Sequence, residues 1–457
     1  MNPQFSDRLP STGSVTGPVL VLGMGGTGAA CARYFAARGI AVLFADTRAA
    51  PPGLAAIRAA IPAVEVHTGE IPASLPPHVA QIVISPGVDL HLPVLQAARR
   101  QNIPVLSDVD LFVSEARAPI VAITGSNGKS TVTSMLGQML IAAGMRAGVG
   151  GNLGTPALDL LDPATQVYVL ELSSFQLERS QLIDAAAAVL LNVSPDHLDI
   201  HGDMAAYTAV KARVYAHCKV AVVNRDEPAL DSLVPAGTPV ISFGLGTPGA
   251  GEFGLLRQAN DVWLARGTEA LLPVTNLQFS GRHNISNALA ALALGTALGL
   301  QTAALLPGLL SYRLLPHRMA VVATRDGVTW IDDSKATNIG AAVASISSVD
   351  GPLVLIAGGD GKGASFALLA DALRGRQCVA VLLGRDREQL AAALQGVCPI
   401  HRVADMPAAV CAAHAAAKPG WTVLLAPACS SLDMYRDYAA RGDAFCSAVL
   451  GLQEDPS

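Results

Sequence analysis

The sequence predicts an α/β protein with mostly parallel sheets, divided into three domains. Short runs of β-branched residues alternate with Ala-rich helical stretches along the chain, which is the pattern of parallel α/β architecture. The chain has 457 residues, and at ~150 residues per domain this length accommodates about three cores. Shifts in the pattern place the expected domains at residues 1–107, 108–314 and 315–457.

The first segment is typical of a Rossmann-like domain. Its predicted strands cover residues 19–22, 41–46 and 81–85. The loop Gly23-Met-Gly25-Gly-Thr-Gly28 joins the first strand to a helix, so backbone N–H groups can approach a diphosphate there. Asp46 ends the next strand, where a dinucleotide fold places its ribose carboxylate. An NAD-dependent oxidoreductase, a nucleotide-sugar diphosphate site and a ligand-free turn all fit this loop.

The second segment has the elements of a central, mostly parallel sheet. Its predicted strands cover residues 119–123, 167–172, 188–193 and 220–224, with weaker strands around 262–265. An uncharged stretch at 285–310 is rich in Ala and Gly, so we expect a buried helix that begins near Asn284 and breaks at Pro307 rather than a membrane span. A linker over residues 312–318 then leads to the third segment.

The loop after the strand at 119–123 predicts ATP binding. It runs Thr124-Gly-Ser-Asn-Gly-Lys129-Ser130-Thr131 into a helix. Backbone amides at the helix start can hold phosphates, Lys129 supplies a charge, and Ser130 or Thr131 a hydroxyl for Mg²⁺. The loop differs from the ordinary P-loop, because Ile123 stands where that pattern has its first glycine. We therefore expect a P-loop ATPase-like central domain.

The third segment predicts a second Rossmann-like domain. Strands are expected at residues 328–332, 353–357, 379–383 and 421–426, separated by helical stretches.

Composition excludes several classes of protein. The formal net charge is −5, and this mild acidity argues against nucleic-acid binding, which needs clustered Lys and Arg. Residues 1–14 lack a basic-then-apolar signal pattern, and the 7 cysteines show neither CxxC spacing nor a disulfide framework. We expect a cytoplasmic protein without a membrane span, and a monomer.

Several motifs in chain order resemble those of the Mur ligase family, the ATP-dependent amide-forming enzymes of peptidoglycan synthesis, together with folylpolyglutamate synthases. The similarity covers essentially the whole chain. Besides the ATP loop, the motifs are Gly151-Asn152-Leu-Gly154, Glu171-Leu-Ser-Ser-Phe-Gln176, Asn192-Val-Ser-Pro-Asp196-His197-Leu-Asp199, Lys211, Gly281-Arg-His-Asn284 and His317-Arg318.

The resemblance implies an ATP and magnesium site in the second segment. The implied catalytic residues are Lys129, His197 and Lys211. The implied ATP-binding residues are Gly125, Ser126, Asn127, Gly128, Lys129, Ser130, Thr131, Asn284, Arg318 and Asp333. Two Mg²⁺ ions are expected, with ligands from Ser130, Glu171, His197 and a carbamylated Lys211.

Within the family, the third segment resembles the branch that adds D-glutamate to UDP-N-acetylmuramoyl-L-alanine. Asp333-Ser-Lys-Ala-Thr-Asn338 matches that branch, whereas Tyr438 stands where Phe is expected. The resemblance implies D-glutamate contacts from Lys335, Thr337, Lys362, Ser431, Leu432 and Tyr438. It implies contacts to the UDP-substrate from Gly26, Thr27, Asp46, Thr47, Arg48, Ser85, Gly87 and Asn152.

The implied reaction forms an acyl phosphate and then a tetrahedral intermediate. Alternatives are another Mur-type or folylpolyglutamate-type ligase, an NAD-dependent oxidoreductase, and a non-catalytic nucleotide-sensing module. The ATP loop and the acidic, histidine and lysine motifs after it favour the ligase.

Overall fold

Three sheets, each covered by helices, form the architecture, and the predicted three-domain α/β class is confirmed. The structure, a computed structural model, describes residues 17–181, 183–259 and 261–452. The prediction made for residues 1–14 lies outside these residues. Within the described part, no helix is both long and apolar enough to cross a membrane.

The first sheet has five parallel strands in the order β3-β2-β1-β4-β5. Its strands and helices are β1 (Val19–Leu22), α1 (Gly26–Ala36), β2 (Val42–Asp46), α2 (Leu54–Ala60), β3 (Glu65–Thr68), β4 (Gln81–Ile84), α3 (Pro93–Arg100) and β5 (Val105–Ser107). Helix α4 (Asp108–Glu115) follows, and Ser107 and Asp110 close its N-terminus with a capping box.

The second sheet has nine strands in the order β14-β13-β12-β11-β10-β9-β6-β8-β7, in which β13 runs antiparallel to both of its neighbours, β12 and β14. Its first elements are β6 (Ile120–Thr124), α5 (Lys129–Ala142), β7 (Ala147–Gly151), β8 (Val167–Glu171), α6 (Ser174–Arg179), β9 (Ala187–Leu190), α7 (Leu198–His201) and α8 (Met204–Ala212). The remainder are β10 (Ala221–Asn224), β11 (Val240–Phe243), β12 (Phe253–Gln258), β13 (Asp261–Arg266), β14 (Glu269–Pro273), α9 (Arg282–Ala297) and α10 (Thr302–Ser311).

The helix predicted from Asn284 to Pro307 is in fact two helices. Gly299 adopts a left-handed φ of +86°, its N–H bonds to Thr296 O, and the N–H of Leu300 bonds to Gly295 O at 3.3 Å. These bonds close α9 in the manner of a glycine C-terminal cap. Pro307 lies inside α10, so the predicted break at Pro307 was wrong because the glycine ends the helix first.

The third sheet has six strands in the order β15-β16-β20-β17-β18-β19, and only the β15–β16 pair is antiparallel. Its elements are β15 (Ala320–Arg325), β16 (Val328–Asp332), α11 (Ile339–Ser347), β17 (Leu353–Gly358), α12 (Ala367–Leu373), β18 (Cys378–Leu383), α13 (Arg387–Ala393), β19 (Ile400–Arg402), α14 (Met406–Ala416), β20 (Thr422–Leu425) and α15 (Tyr438–Leu450).

The cores explain why ligand-binding loops gather at the sheet edges. Strands β1, β4, β6, β8 and β9 are buried along their entire length, as expected for parallel sheets covered on both faces. One apolar cluster runs from Phe35 and Phe112 to Tyr168, so the first and second sheets share a core. Because the strands themselves are buried, we expect the ligand-binding side chains at the carboxyl ends of the strands.

Candidate active site

The largest concentration of predicted site residues lines one cleft between the second and third sheets. The cleft has a volume of about 580 Å³. Its walls come from the loop between β6 and α5, the ends of β8 and β9, the start of α9, and the loops after β16 and β17. The predicted site residues that line it are Ser126, Asn127, Gly128, Lys129, Ser130, Thr131, Asn152, Glu171, His197, Lys211, Asn284, Arg318, Asp333, Lys335, Thr337 and Lys362.

The loop between β6 and α5, at residues 125–128, is the predicted phosphate loop, and its neighbours fix its shape. Gly128, at the N-terminus of α5, has φ of +84°, and a Cβ there would lie 2.5 Å from Asn287 Oδ1. The side chain of Asn192 accepts from Asn127 N–H (2.9 Å) and donates to Asn127 O (3.1 Å). Asn192 thus fixes the loop, and the first backbone N–H groups of α5, which have no partner within the helix, are the groups suited to anion binding.

Two lysines converge on Gly125, which itself does not line the cleft. Lys129 Nζ donates to Gly125 O at 2.8 Å and to Ser126 O at 2.9 Å, while Lys211 Nζ donates to Gly125 O at 2.9 Å. Burial lowers the pKa of Lys129. The nearby Glu171 and Asp196 carboxylates act to raise it but do not cancel the effect of burial. Lys211 is buried more completely and its pKa lies well below the usual value, first because of burial and then because of Lys129.

Glu171 offers an oxygen suited to a cation. Its Oε1 accepts from Asn152 Nδ2 at 2.7 Å, whereas Oε2 is buried and lacks a hydrogen-bond partner among the described residues. A buried carboxylate oxygen without a partner is costly, and Mg²⁺ prefers such hard oxygen ligands. Ser130 and His197 line the same cleft. The residues present therefore fit a magnesium ion.

His197 adopts a left-handed backbone conformation, and its ring lies near an aromatic ring and a carboxylate. It precedes α7 with φ of +53° and packs edge-on against Phe175, with ring centroids 5.1 Å apart. Its Nε2 lies 3.7 Å from Asp196 Oδ1.

The third domain reaches across the cleft to the second. Lys362 Nζ lies 3.1 Å from Asp196 Oδ1, and Asn338 Nδ2 donates to Asn127 Oδ1 at 3.1 Å and to Asp196 Oδ2 at 3.3 Å. Burial acts to raise the pKa of Asp196, but the charge and hydrogen bond of Lys362 and the charge of Lys129 help to outweigh it, so this pKa lies below its usual value. The contacts bring the loops after β16 and β17 against the phosphate loop.

Burial also changes the pKa of two residues beside these contacts. It raises the pKa of Asp333 to about 6, although Ser345 Oγ donates to this carboxylate. It lowers the pKa of Lys335 to about 8, helped by the charge of Arg318. The Lys335 ammonium lies 4.0 Å from the centre of the Tyr438 ring, a cation–π contact. A half-buried lysine here is suited to an anionic ligand.

Three of the predicted D-glutamate residues do not line the cleft. Ser431 is buried, Leu432 is 71% exposed, and the centre of the Tyr438 ring lies 4.0 Å from the Lys335 ammonium. Their assignment stays a prediction.

A second cavity of about 550 Å³ lies at the carboxyl edge of the first sheet. It gathers seven of the eight residues predicted for the UDP-substrate: Gly26, Thr27, Asp46, Thr47, Arg48, Ser85 and Gly87. The eighth, Asn152, lies instead in the central cleft beside Glu171.

Asp46 holds this first-domain cavity together. Its Oδ2 accepts from Met24 N–H at 2.7 Å, and both of its oxygens accept from the Arg48 guanidinium. The Arg48 bonds are the main reason that the pKa of Asp46 falls to about 2. The carboxylate thus organises the loop and Arg48, a role that differs from the ribose contact of an NAD-binding fold.

Sequence reasoning missed the residues that brace the loop from a distance. Asn192 and Asp196 lie in a recognised motif, but their partners Asn127, Asn338 and Lys362 are distant in the chain. Asn287 lies one helical turn after Asn284, on the same helix face, and that spacing was the available signal.

Family models match three consecutive parts of the chain. "Mur ligase MurD-like, N-terminal domain" matches residues 17–107, "Mur ligase middle domain" residues 123–295, and "Mur ligase, glutamate ligase domain" residues 317–429. The chain belongs to the Mur ligase family.

Similar proteins share nearly the full length. A protein of Nitrosococcus oceani named UDP-N-acetylmuramoylalanine–D-glutamate ligase is 47% identical over 96% of this chain and 98% of its own. A protein of Pseudomonas aeruginosa with the same name is 48% identical over 94% of this chain and 97% of its own.

Solved structures share the fold at lower identity. UDP-N-acetylmuramate-alanine ligase MurC from Thermotoga maritima has a TM-score of 0.61 at 18% identity, over 94% of this chain and 98% of its own. MurF from Acinetobacter baumannii has a TM-score of 0.58 at 21% identity, over 82% and 86% of the two chains.

Proposed function

We propose that this protein is an ATP-dependent ligase that joins D-glutamate to the L-alanine carboxylate of UDP-N-acetylmuramoyl-L-alanine in peptidoglycan synthesis. Relatives at 47% and 48% identity carry the corresponding name. The observation that supports it best is the shared cleft, in which the phosphate loop faces Lys335 and Lys362 of the third domain. A nucleotide site and an anionic-substrate site thus open into the same space.

The residues divide between the ligands by chemistry. We assign the ATP phosphates to the loop Ser126–Thr131, through the amides at the start of α5 and through Lys129, with Asn284, Arg318 and Asp333 closing the site. Mg²⁺ is assigned to Glu171, Ser130 and His197, and when bound it neutralises charge on the phosphoryl group being transferred. Lys335, Thr337 and Lys362 hold the carboxylates of D-glutamate.

Amide formation requires an activated carboxylate. The L-alanine carboxylate attacks the γ-phosphoryl group of ATP, giving an acyl phosphate and ADP. The D-glutamate amine then attacks the acyl carbon, and the tetrahedral intermediate releases phosphate. In this scheme Lys129 stabilises the transferred phosphoryl charge, and His197 assists removal of the amine proton. The third-domain contacts to Asp196 and Asn127 exclude water from the acyl phosphate.

We further propose that Lys211 is carbamylated and contributes to a second Mg²⁺ site. Its low pKa favours the neutral amine that can attack CO₂, forming an N–C bond and releasing a proton. The carbamate would place a negative charge beside Lys129. After incubation with ¹³C-bicarbonate we expect a carbamate carbon signal by NMR that Lys211→Ala loses and the exposed control Lys219→Ala keeps. An identical spectrum for Lys211→Ala would refute the modification.

The cytoplasmic location, the monomeric state and the boundaries 1–107, 108–314 and 315–457 remain proposals. The three sheets fall within these boundaries, because β5 ends at Ser107 and β15 begins at Ala320.

Phosphate release tests the activity directly. With ATP, Mg²⁺ and UDP-N-acetylmuramoyl-L-alanine, we expect release that depends on D-glutamate and is far slower with L-glutamate, glycine or D-aspartate. Equal release with all four amino acids would contradict the proposed substrate. No release with any of them, together with tight NADH binding, would favour the oxidoreductase.

A further inference from the structure

A group of three metal-binding side chains lies outside the cleft, where the linker enters the third domain. His317 Nδ1 is 2.6 Å from Asp332 Oδ2, and Cys446 Sγ is 3.4 Å from the same oxygen. All three atoms lie within 4.8 Å of one another. His317 belongs to the linker, Asp332 ends β16 and Cys446 lies on α15, so three separate elements bring these donors together.

The close approach of α15 to these donors depends on a glycine. A Cβ on Gly442 would lie 2.2 Å from His317 Nδ1 and 2.9 Å from Asp332 Oδ2. Helix α15 therefore packs its bare backbone directly against the imidazole and the carboxylate, and this close approach brings Cys446, one turn further along the helix, to the same carboxylate.

We propose that His317, Asp332 and Cys446 bind a Zn²⁺-type ion, with water as the fourth ligand. Imidazole, carboxylate and thiolate are the ligands that zinc takes in proteins. Zn–N and Zn–O distances of about 2.0 Å and a Zn–S distance of about 2.3 Å place neighbouring ligand atoms about 3.3–3.5 Å apart in a tetrahedral site. Shifts of about an ångström from the present positions reach that geometry.

The outer hydrogen bonds suit a metal site. Asp332 Oδ1 accepts from Ser334 N–H at 2.9 Å, which leaves Oδ2 for the ion. On the far side of the imidazole, Nε2 lies 3.6 Å from Asp443 Oδ1. A proton on Nε2 facing this carboxylate directs the Nδ1 lone pair to the metal, the arrangement commonly found around zinc-bound histidines. Two protons leave to solvent when the ion binds, the one shared between His317 Nδ1 and Asp332 Oδ2 and the thiol proton of Cys446.

A bound ion would connect the linker to α15 and β16. Arg318 follows His317 directly and lines the cleft, so the ion would fix the backbone that carries Arg318. This site is separate from the magnesium ligands, and its ion would act on the position of a domain rather than on the reacting atoms.

Titration of the reduced, metal-free protein with Co²⁺ tests the site. Thiolate coordination to Co²⁺ gives an intense near-ultraviolet absorption, and none of the described residues lining the cleft is a cysteine. We expect this band to saturate at one Co²⁺ per chain and to disappear on addition of equimolar Zn²⁺. Cys446→Ser should abolish the band, and the exposed Cys411→Ser and the partly buried Cys398→Ser should keep it.

Two charge-removing variants separate ligation from folding. Asp332→Asn should weaken Co²⁺ binding at least tenfold, and Asp443→Asn about tenfold as an outer-sphere change. Melting curves establish that each variant is folded. The absence of a band in the wild type, or a band that survives in Cys446→Ser, would overturn the proposal and leave the three side chains as a hydrogen-bonded cluster.

Discussion

Desolvation acts on Lys335 and Asp108 in opposite directions. It lowers the pKa of the lysine to about 8 and raises that of the aspartate to about 7, because both side chains lose charge when removed from water. Lys335 lies in the cleft, where a bound carboxylate would restore its charge. Asp108 begins α4 far from the cleft, and its buried Oδ1 has no hydrogen-bond partner among the described residues.

The pKa of Lys335 predicts how D-glutamate binding depends on pH. The ammonium charge is lost as the pH rises through about 8, so the KM for D-glutamate should rise above that pH, by up to about tenfold per pH unit. Lys335→Arg keeps its charge and should give a profile set by the amine of D-glutamate alone. Steady-state kinetics from pH 7 to 9 measure this. If the KM for D-glutamate depended on pH in the same way in both proteins, Lys335 would not be a D-glutamate-binding residue.

Asp108 predicts a pH-dependent stability. Its folded-state pKa of about 7 lies above the ordinary 3.8, so folding favours the protonated form. That stabilisation is complete below about pH 4 and is lost as the pH rises through 7. Asp108→Asn should therefore raise the apparent Tm at pH 8 by about 2–4 °C and leave it nearly unchanged at pH 4. Scanning fluorimetry measures this, with the exposed Asp371→Asn as control. An equal shift at both pH values would exclude titration of Asp108 as the cause.

At the scale of elements, the β6–loop–α5 unit shows what local sequence can predict. A buried strand, a glycine-containing turn and a helix are adjacent in the chain, so the sequence alone predicted the phosphate loop. Its bracing by Asn192 and Asn287 needed the tertiary structure. The same holds for Lys211, whose burial against Gly125 depends on how α8 packs. Helical spacing alone would have marked Lys211 as an exposed residue.

The edge strands and the α9–α10 junction could not be predicted for a related reason. Strand β3 is largely exposed, and β19 has only three residues, so neither carries the buried apolar run by which the central strands were found. At the junction, Gly299 and Pro307 are both residues that can end a helix. The prediction placed the end at the proline, whereas the helix ends at the glycine. Pro307 is the sixth residue of α10, so it removes the N–H that would bond to Ala303 O but does not end the helix.

Gly128 allows the bracing of the loop to be tested. Gly128→Ala places a Cβ 2.5 Å from Asn287 Oδ1 at a left-handed φ of +84°, so the loop must shift. Gly144, just after the same helix, has φ of +83° and nothing within 4 Å of a Cβ. Gly144→Ala therefore introduces the same backbone strain without the contact. We expect kcat/KM for ATP to fall on the order of 10²-fold in Gly128→Ala and to stay within about twofold in Gly144→Ala. Equal losses in the two variants would attribute the effect to backbone strain alone.

At the scale of the whole molecule, polar side-chain contacts join the third domain to the second. The Lys362–Asp196 pair joins them at 3.1 Å, with side chains 24% and 12% exposed. Asn338 adds bonds to Asn127 and Asp196. Lys362 is also assigned to D-glutamate, so one ammonium serves both the interdomain pair and the substrate. Exchange of Asp196 for a substrate carboxylate would couple D-glutamate binding to the position of the third domain.

This coupling predicts a more open ligand-free molecule once the charge on Lys362 is removed. A half-buried ion pair contributes on the order of 1 kcal/mol, which is about a fivefold change in the ratio of open to closed forms. Lys362→Met should therefore increase the radius of gyration measured by small-angle X-ray scattering at low salt. Because salt screens the pair, added salt should expand the wild type towards the variant and change the variant little. Arg385→Met is the control, since Arg385 pairs with Asp360 inside the third domain at 2.8 Å. A variant as compact as this control at every salt concentration would show that the domains are held together by other contacts.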